Sequence, residues 1–429
     1  MTGTSQVQSV VDGNTRFALS LYGQLAAKPG NLFFSPYSIS TCLAMLYAGA
    51  SGNTEQQMSQ VLGFGTNQEE FASLFGQIQA GLKAHQQTNA IELNIANALW
   101  MQQGFPILPS FLETATDHYE ASVGQADFAT DADAVRQNIN AWVAQETKNR
   151  IQNILAPGMI TPDIRLVLAN AIYFLGTWTV SFQETNTQTQ PFYLSSSTVV
   201  EVPLMHQPLI TTQDGQPILF NYMQSYPSRA GSPSSNDFQA LELPYGSNQL
   251  SMLILLPSQL DGLERLEQQL SPAFLSNVLA RLTPQPVEIF LPRFTLESSF
   301  NLNDTLAAMG MPDAFSSFAA DFSGIDGGKD LSVGFVLHKA WGQVNESGTE
   351  AAAATVIGIV ATDVPPPPII FRADHPFVFL IRETQTGSVL FMGRLANPNA
   401  SAGPAAPALA LKPSSGGLTF SWPFSWSSM

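Results

Sequence analysis

The segment from Asn345 to Phe371, NESGTEAAAATVIGIVATDVPPPPIIF, is the strongest constraint on the fold, because no single element of secondary structure accommodates all of it. Four alanines at 351–354 favour a helix, whereas residues 356–361 favour a strand. The four prolines at 365–368 donate no hydrogen bond to either and form a stiff, extended segment. We therefore predict an exposed loop with an N-terminal arm that can become a strand and a rigid C-terminal leg.

The N-terminal arm of this loop is suited to insertion between two strands of a sheet. Side chains of a strand alternate between its faces, and the only charge in 349–360, Glu350, falls on the face opposite the smaller side chains. Insertion must end before the prolines, which cannot join a hydrogen-bonded ladder. The face expected to enter the sheet carries Thr349, Ala351, Ala353, Thr355, Ile357 and Ile359.

The charge balance of the chain argues against polyanionic partners. Its 429 residues are 45% hydrophobic and carry 33 Asp and Glu against 17 Lys and Arg, a formal charge of −16. Such a charge repels nucleic acid and anionic membranes, so we expect no nucleic-acid partner. No apolar run reaches the roughly 18 residues that span a bilayer. The first 17 residues lack a secretory signal, so a cytoplasmic location is the default expectation and export by another route stays open.

Catalytic and metal-binding motifs are missing from the sequence. The single cysteine, Cys42, lies in an apolar run and is expected to be a buried small hydrophobic residue. The five histidines match neither H-E-x-x-H nor zinc spacing. The stretch GIDGGKD at 324–330 lacks the first glycine and the hydroxyl residue of a phosphate loop. We therefore expect no enzyme activity, no cofactor and no metal site.

The order of predicted elements indicates an α+β fold in one large domain. Helices are predicted from an Asn14 cap, from Pro36 and around Val135–Val143, and strands follow at 241–245, 249–257, 287–296, 377–383 and 388–395. The domain is expected to span 14–398, after an N-terminal extension at 1–13. Residues 399–429 form an Ala/Pro/Ser/Gly-rich tail that is expected to be disordered. Its alternating aromatic residues at 420–426 leave a docking motif open as the alternative.

Five motifs occur in order along the chain: NLFFSPYSIS at 31–40, VLANAIYFLGTW at 167–178, FLPRF at 290–294, VLHKAWGQVNESGTEAAAAT at 336–355 and LFMGR at 390–394. With them, the chain resembles the serpin (serine protease inhibitor) family over about residues 14–398. The resemblance implies three β-sheets, eight or nine helices and an exposed reactive-centre loop at about 346–371. It further implies a suicide mechanism, in which a protease cleaves the loop, remains attached as an acyl-enzyme and is trapped when the loop inserts into the central sheet.

The resemblance also implies roles for particular residues. Glu346 and Gly348 begin the hinge, which continues through Thr349, Glu350, Ala351, Ala352, Ala353 and Ala354. A shutter that controls opening of the central sheet corresponds to Ser35, Ser38, Asn170 and His338, and the breach, where the loop first enters, to Trp178. A small-residue hinge is typical of inhibitory members, so we expect an inhibitor. A non-inhibitory chaperone, carrier or storage role is the alternative.

The residues of the loop restrict the class of target. The loop has no Lys or Arg between Lys339 and Arg372 for a trypsin-like pocket. It has no Phe, Tyr, Trp, Leu or Met between Asn345 and Pro368 for a chymotrypsin-like one. Counting from Glu346 by the family pattern places the reactive bond between Thr362 and Asp363, within the window Val360, Ala361, Thr362, Asp363 and Val364. Small residues there suit elastase-like or subtilisin-like serine proteases. The loop is about three residues longer than in typical relatives, so a bond after Asp363, cleaved by an Asp-specific protease, stays open.

Other partners are not expected. Residues 68–92 offer only Lys83 and His85 as basic groups, which argues against control by heparin-type polyanions. The expected partner is the target endopeptidase, bound covalently to a monomeric inhibitor. An N-x-S sequon at Asn345 would place a glycan beside the hinge, which favours an unglycosylated member of prokaryotic type.

Overall fold

A computed structural model of the protein describes residues 2–65, 67–85, 91–212, 214–225, 236–246, 248–348 and 368–400. Ten α-helices occur in this part of the chain, the last a single turn, and they alternate with sixteen strands. Two 3₁₀ turns lie at Glu184–Asn186 and Pro312–Phe315. The helices are α1 (Thr2–Leu25), α2 (Pro36–Tyr47), α3 (Gly52–Leu62), α4 (Gln68–His85), α5 (Pro109–Tyr119), α6 (Ala132–Glu146), α7 (Leu263–Gln269), α8 (Pro272–Arg281), α9 (Asn303–Met309) and α10 (Ser323–Asp326).

The strands form three sheets, which confirms the predicted α+β class. A seven-stranded sheet has the order β1 (Leu32–Phe34), β16 (Val389–Leu395), β15 (Phe377–Glu383), β9 (Leu250–Pro257), β8 (Phe238–Tyr245), β7 (Phe220–Gln224) and β10 (Thr283–Gln285). A four-stranded sheet has the order β14 (Ile369–Arg372), β11 (Val287–Pro292), β6 (Thr198–Gln207) and β5 (Gln188–Ser195). The central sheet has the order β12 (Phe294–Asn301), β13 (Phe335–Val344), β4 (Leu166–Gly176), β2 (Ile91–Gln102) and β3 (Ser122–Ala126).

Both faces of the central sheet are buried, which explains why β4 is almost uniformly apolar. Alternate residues such as Leu168 and Ile172 face the main core, together with α2 and the seven-stranded sheet. The intervening residues, such as Ala171 and Tyr173, pack in a second core with Ile139 of α6. The polar Asn170 therefore lies in β4 with apolar residues on either side of it in sequence.

Two sequence predictions need correction. The first helix begins at Thr2 instead of at Asn14, and Val10 and Val11 of the expected extension lie in the core. Asn14 is not a cap; its buried Oδ1 accepts a hydrogen bond from Oγ of Ser40 at 2.7 Å. The strand expected over 287–296 is two strands in two different sheets, divided at Arg293. The run of apolar residues continues past Arg293, but the buried positions change from odd numbers in β11 to even numbers in β12, as expected when the chain passes from one sheet to another.

The remaining elements agree with their predictions. The hairpins of β8 with β9 and of β15 with β16 are antiparallel, and α6 covers the predicted Val135–Val143 segment. Cys42 is buried in α2, where burial raises the pKa of its thiol to about 12. No helix within the described ranges is long and apolar enough to cross a membrane.

Candidate functional site at the opening of the central sheet

The two middle strands of the central sheet pair along only part of their length. β4 and β13 run parallel, in register from Val167 with Phe335 to Tyr173 with Trp341. Beyond this pair, the strand ends 174–176 and 342–344 pair, among the described residues, only with β2 and β12 respectively. The sheet is thus already open over three residues of each strand at the end where the loop begins.

A small apolar pocket lies at this opening. Its walls come from the separated strand ends and from the main core beneath them. The hydroxyl of Tyr245, one of the lining residues, is buried with no hydrogen-bond partner among the described residues. Side chains of an added strand would meet the lining of this pocket, which includes Phe33, Phe174, Tyr245, Phe294, Gly342 and Val344.

The loop starts with a tight turn over Asn345–Gly348. The N–H of Asn345 donates to the carbonyl of Gly348 at 2.9 Å, and the N–H of Gly348 donates to the carbonyl of Asn345 at 3.2 Å. The side-chain Oδ1 of Asn345 accepts a further bond from the N–H of Ser347 at 3.1 Å. The chain therefore reverses direction at the end of β13 and points back along the sheet.

Gly348 lies between the two middle strands. It forms an antiparallel bridge to Asn345, which follows β13, and another to Thr177, which follows β4. Its φ of +112° is unfavourable for residues with a side chain. A Cβ at this position would lie 2.2 Å from the carbonyl oxygen of Gly176 and 2.5 Å from the backbone nitrogen of Trp178. Only glycine fits, because both obstacles are backbone atoms.

Glu346 fixes the base of the loop to two other elements. Its side chain is 5% exposed and accepts hydrogen bonds from Nη2 of Arg293 and Oγ1 of Thr187, both at 2.5 Å. Burial favours the protonated acid, but these bonds outweigh it and hold the pKa of Glu346 below its ordinary value. The carbonyl of Glu346 also accepts from the N–H of Phe182 at 2.9 Å. Sequence reasoning missed Arg293 and Thr187, which lie far from Glu346 in the chain.

Trp178 closes the other side of the opening. Its Nε1 donates to the carbonyl of Asn345 at 3.0 Å, and its backbone N–H donates to the carbonyl of Ser347 at 3.0 Å. The indole stacks on the ring of Tyr245 at a centroid distance of 4.3 Å. The residue expected at the breach therefore contacts the loop base directly.

The four residues expected to form the shutter lie together in one buried network. The Nε2 of His338 accepts from the N–H of Ser35 at 3.0 Å, and its Nδ1 faces Oδ1 of Asn170 at 2.5 Å. The side-chain amide of Asn170 donates to the carbonyl and the hydroxyl oxygen of Ser38 and to Oδ1 of Asn97. Asn97 of β2 was missed by the sequence analysis, because nothing in β2 marks it as a partner.

This network joins the two middle strands through one pair of side chains. His338 and Asn170 occupy the same register position of β13 and β4. Nε2 of His338 accepts a hydrogen bond, so the ring proton is on Nδ1, which donates to Oδ1 of Asn170. Both partners are uncharged, and the ring is neutral. Burial lowers the pKa of His338 to about 3, so the ring stays neutral in the fold well below the ordinary range. Ser35 also caps α2, its Oγ accepting from the N–H of Ser38 at 3.0 Å.

Several predicted site residues lie outside the described part of the chain. They are the hinge residues Thr349, Glu350, Ala351, Ala352, Ala353 and Ala354 and the reactive-bond window Val360, Ala361, Thr362, Asp363 and Val364. No group of three or more metal-ligating side chains occurs within the ranges that the structure describes.

A protein-family model described as "Serpin (serine protease inhibitor)" matches residues 12–398. The chain belongs to the serpin family. Its relatives include the leukocyte elastase inhibitor of Xenopus tropicalis, 38% identical over 90% of this chain and 98% of that protein. An uncharacterized serpin-like protein of Thermococcus kodakarensis is 37% identical over 92% of this chain and 87% of the relative. Human serpin B4 is 36% identical over 91% of this chain and 100% of the relative.

Solved structures of this family match the described fold. Uncleaved ovalbumin superposes with a TM-score of 0.78 at 30% identity, covering 91% of this chain and 100% of ovalbumin. Human thyroxine-binding globulin gives a TM-score of 0.79 at 29% identity, covering 92% of this chain and 100% of that protein. The expectations of a serpin and of the serpin fold are therefore confirmed.

Proposed function

We propose that this serpin inhibits serine endopeptidases by a suicide mechanism, in which its cleaved loop becomes a sixth strand between β4 and β13. The observation that carries the proposal is the position of Gly348, which bridges to Thr177 and Asn345 at the open end of the sheet. The first residue of the return arm thus already occupies the place of an inserted strand. Relatives named leukocyte elastase inhibitor support the choice of an elastase-like target.

The register of Gly348 extends in a way that supports insertion. Gly348 pairs with Asn345 on one side and with Thr177 on the other. Thr355 lies seven residues after Gly348, whereas His338 and Asn170 lie seven residues before Asn345 and Thr177 respectively. Continued antiparallel pairing would therefore put Thr355 between His338 and Asn170, which now bond to each other. A threonine hydroxyl can both donate and accept, so it can replace the bond that insertion breaks.

The same register gives each face of the arm a suitable environment. Residues opposite each other in an antiparallel pair share a face of the sheet. Thr349 would then share a face with Val344, which lies in the main core, and Ala351 would share it with Gly342. Glu350 would share the opposite face with Gln343, which is only partly buried. Small uncharged residues would enter the core, and the carboxylate would stay near solvent.

The covalent step follows the chemistry of serine proteases. The serine hydroxyl of the target attacks the carbonyl carbon of Thr362, the bond to the nitrogen of Asp363 breaks, and the serine proton ends on the new amino group. The product is an ester between the protease and Thr362. Insertion of the freed arm would then carry the ester and the attached protease along the sheet before water hydrolyses the ester. The intact inhibitor would be a kinetically trapped state.

The deciding experiment mixes the protein with an elastase, a subtilisin, a trypsin and an Asp-specific protease. We expect denaturing gels to show a stable complex with the elastase or the subtilisin, and N-terminal sequencing of the released fragment to begin at Asp363. A fragment beginning at Val364, released by the Asp-specific protease, would favour the alternative bond. Cleavage without any complex, and without increased heat stability of the cleaved protein, would favour a non-inhibitory role.

A hinge variant tests the mechanism separately from the target. Ala351→Pro would place a residue that cannot donate to a ladder in the first part of the inserted strand. We expect this variant to be cleaved as a substrate while losing nearly all complex formation, and the matched control Ala351→Ser to keep it. Undiminished trapping by Ala351→Pro would contradict insertion of this arm.

A further inference from the structure

The hairpin of β5 and β6 presents one exposed face that is largely apolar. Opposite residues of an antiparallel pair share a face, so alternate residues of the two strands form this surface. We call it the hairpin face: Thr189, Pro191, Tyr193, Val199, Glu201 and Pro203. All six are at least partly exposed, Val199 to 52%, whereas Phe192 and Val202 of the opposite face are buried. Contiguous apolar side chains of this kind mark a contact surface.

The last described residues of the chain lie beside the hairpin face. Asn399 donates through Nδ2 to the carbonyl oxygen of Glu201 at 3.1 Å. Asn31 fixes the same segment, since its Nδ2 donates to the carbonyl oxygens of Asn397 at 2.7 Å and of Ala400 at 2.5 Å. Two residues of a strand span about 7 Å, so this anchor is close to Val199 as well. The C-terminal tail therefore starts at the edge of the hairpin face.

The composition of the tail makes it a suitable partner for this face. Residues 401–429 carry a single charged side chain, Lys412, whereas the whole chain has a formal charge of −16. Charge repulsion between this segment and the anionic body is therefore small. Every second residue from Phe420 to Trp426 is aromatic, so an extended chain presents all four rings on one side. We call residues 420–426 the aromatic segment.

Covalent attachment favours docking of the aromatic segment even if each contact is weak. Phe420 lies 20 residues after Ala400, and a flexible chain of that length has a root-mean-square span of about 25 Å. The hairpin face lies within this reach, because Asn399 contacts Glu201. A tethered segment has an effective concentration on the order of 1 mM, so a site with a Kd of about 0.1 mM would be about nine-tenths occupied.

We infer that the aromatic segment docks on the hairpin face of its own chain. Phe and Trp side chains bury large apolar areas, and the proline and tyrosine rings of this face offer a matching surface. The occupied hairpin also holds the place where the loop rejoins the fold. The N–H of Tyr193 donates to the carbonyl of Asp374 at 2.8 Å, and Nη2 of Arg372 donates to Oε1 of Gln190 at 2.5 Å. Docking would therefore stabilise the anchorage of β14, whether or not the loop traps a protease.

The test measures the exposure of the two tryptophans of the aromatic segment in the full-length protein. Acrylamide quenching is compared between the wild type and Trp422→Phe with Trp426→Phe, so the difference reports these two indoles alone. The same pair is measured in a Val199→Asp background, which places a charge on the hairpin face. We expect Val199→Asp to raise the quenching constant of the two indoles about threefold or more, because the docked rings are released.

Matched variants separate docking from general effects on the fold. Phe318→Asp is the control, because Phe318 is 100% exposed and lies outside the hairpin face; it should leave the quenching constant unchanged. Thr189→Asp is a second variant of the same face whose native side chain is already exposed and polar, and it should also raise the constant. Circular dichroism and thermal melting check that each variant is folded. Equal constants in the wild type, Val199→Asp and Thr189→Asp, or an equal rise in Phe318→Asp, would overturn the inference.

Two further measurements test the occupant and the consequence. Quenching that depends on protein concentration, together with a dimer in analytical ultracentrifugation, would assign the hairpin face to the tail of a second copy; we expect a monomer and no such dependence. Hydrogen exchange of residues 188–195 and 369–374 should be faster in Val199→Asp than in the wild type. Unchanged exchange there would overturn the stabilisation of β14.

Discussion

The carboxylate of Glu346 lies 2.5 Å from Nη2 of Arg293, and this ion pair ties the base of the loop to the junction between β11 and β12. Glu346 is buried whereas Arg293 is 43% exposed, so the acid depends on the pair more than the base does. Removing Arg293 would leave a buried carboxylate with one hydrogen bond fewer, which is costly. The pair therefore stabilises the turn that directs the loop toward the sheet.

Glu346→Gln should lower the thermal midpoint of the intact protein at neutral pH. The pKa of Glu346 is held below its ordinary value of 4.5, so its stabilisation is fully present above that pH and is lost as the pH falls through the lower pKa of the fold. The difference in melting temperature between Glu346→Gln and the wild type should therefore become smaller below pH 4.5. Glu120→Gln, which removes an exposed pair with Lys83, is the control and should change little. A pH-independent difference would contradict the role of the charge.

Gly348→Ala should destabilise the turn and impair trapping. The new methyl group would meet the carbonyl oxygen of Gly176 at 2.2 Å, so the loop base must move away from the open end of the sheet. We expect a lower melting midpoint and a larger fraction of loop cleaved without complex formation. Gly30→Ala is the matched control, since Gly30 has a φ of +100° but no atom within 4 Å of the added carbon. If both variants behave alike, backbone strain alone explains the effect and the proposed contact is irrelevant.

His338 should contribute to acid sensitivity between about pH 6.5 and pH 3. Its pKa is near 3 in the fold and 6.5 ordinarily, so within this window only the unfolded chain binds the proton. Stability should thus fall with pH by up to about 1.4 kcal/mol per unit from this group, with no further loss below pH 3. The free energy of unfolding of His338→Gln, measured with urea across this pH range, should depend less steeply on pH than that of the wild type. Parallel curves for the wild type and His338→Gln would refute the assignment, with His118→Gln as a control.

Thr355→Val should weaken the cleaved protein but not the intact one. If insertion places Thr355 between Asn170 and His338, valine would leave buried polar groups without a partner, a cost of about 1–3 kcal/mol. Thermal melting after loop cleavage should show this loss, and Thr355→Ser, which keeps the hydroxyl, should largely avoid it. Equal stability of the cleaved valine and serine forms would show that the register of insertion differs from the one inferred from Gly348.

Local patterns predicted the elements that depend on local rules. The hairpin of β15 with β16 follows from two apolar runs around a short turn, and α6 from its apolar period. The start of α1 was missed because a polar residue that can cap a helix can also lie inside one, and Asn14 is held there by Ser40. The break at Arg293 was missed because 287–296 was taken as one apolar run, although the buried positions shift from odd numbers in β11 to even numbers in β12 where the sheet changes.

The sequence by itself determined the family, the fold class and the composition of the loop, which is an arm of small residues followed by four prolines. Only the tertiary structure decided that Gly348 already bridges both middle strands, that Arg293 and Thr187 bind Glu346, and that Asn97 joins the buried network. The physical reason is sequence separation. Ser35 and His338 bond across 303 residues, and such contacts depend on how sheets and helices pack, which no local period encodes.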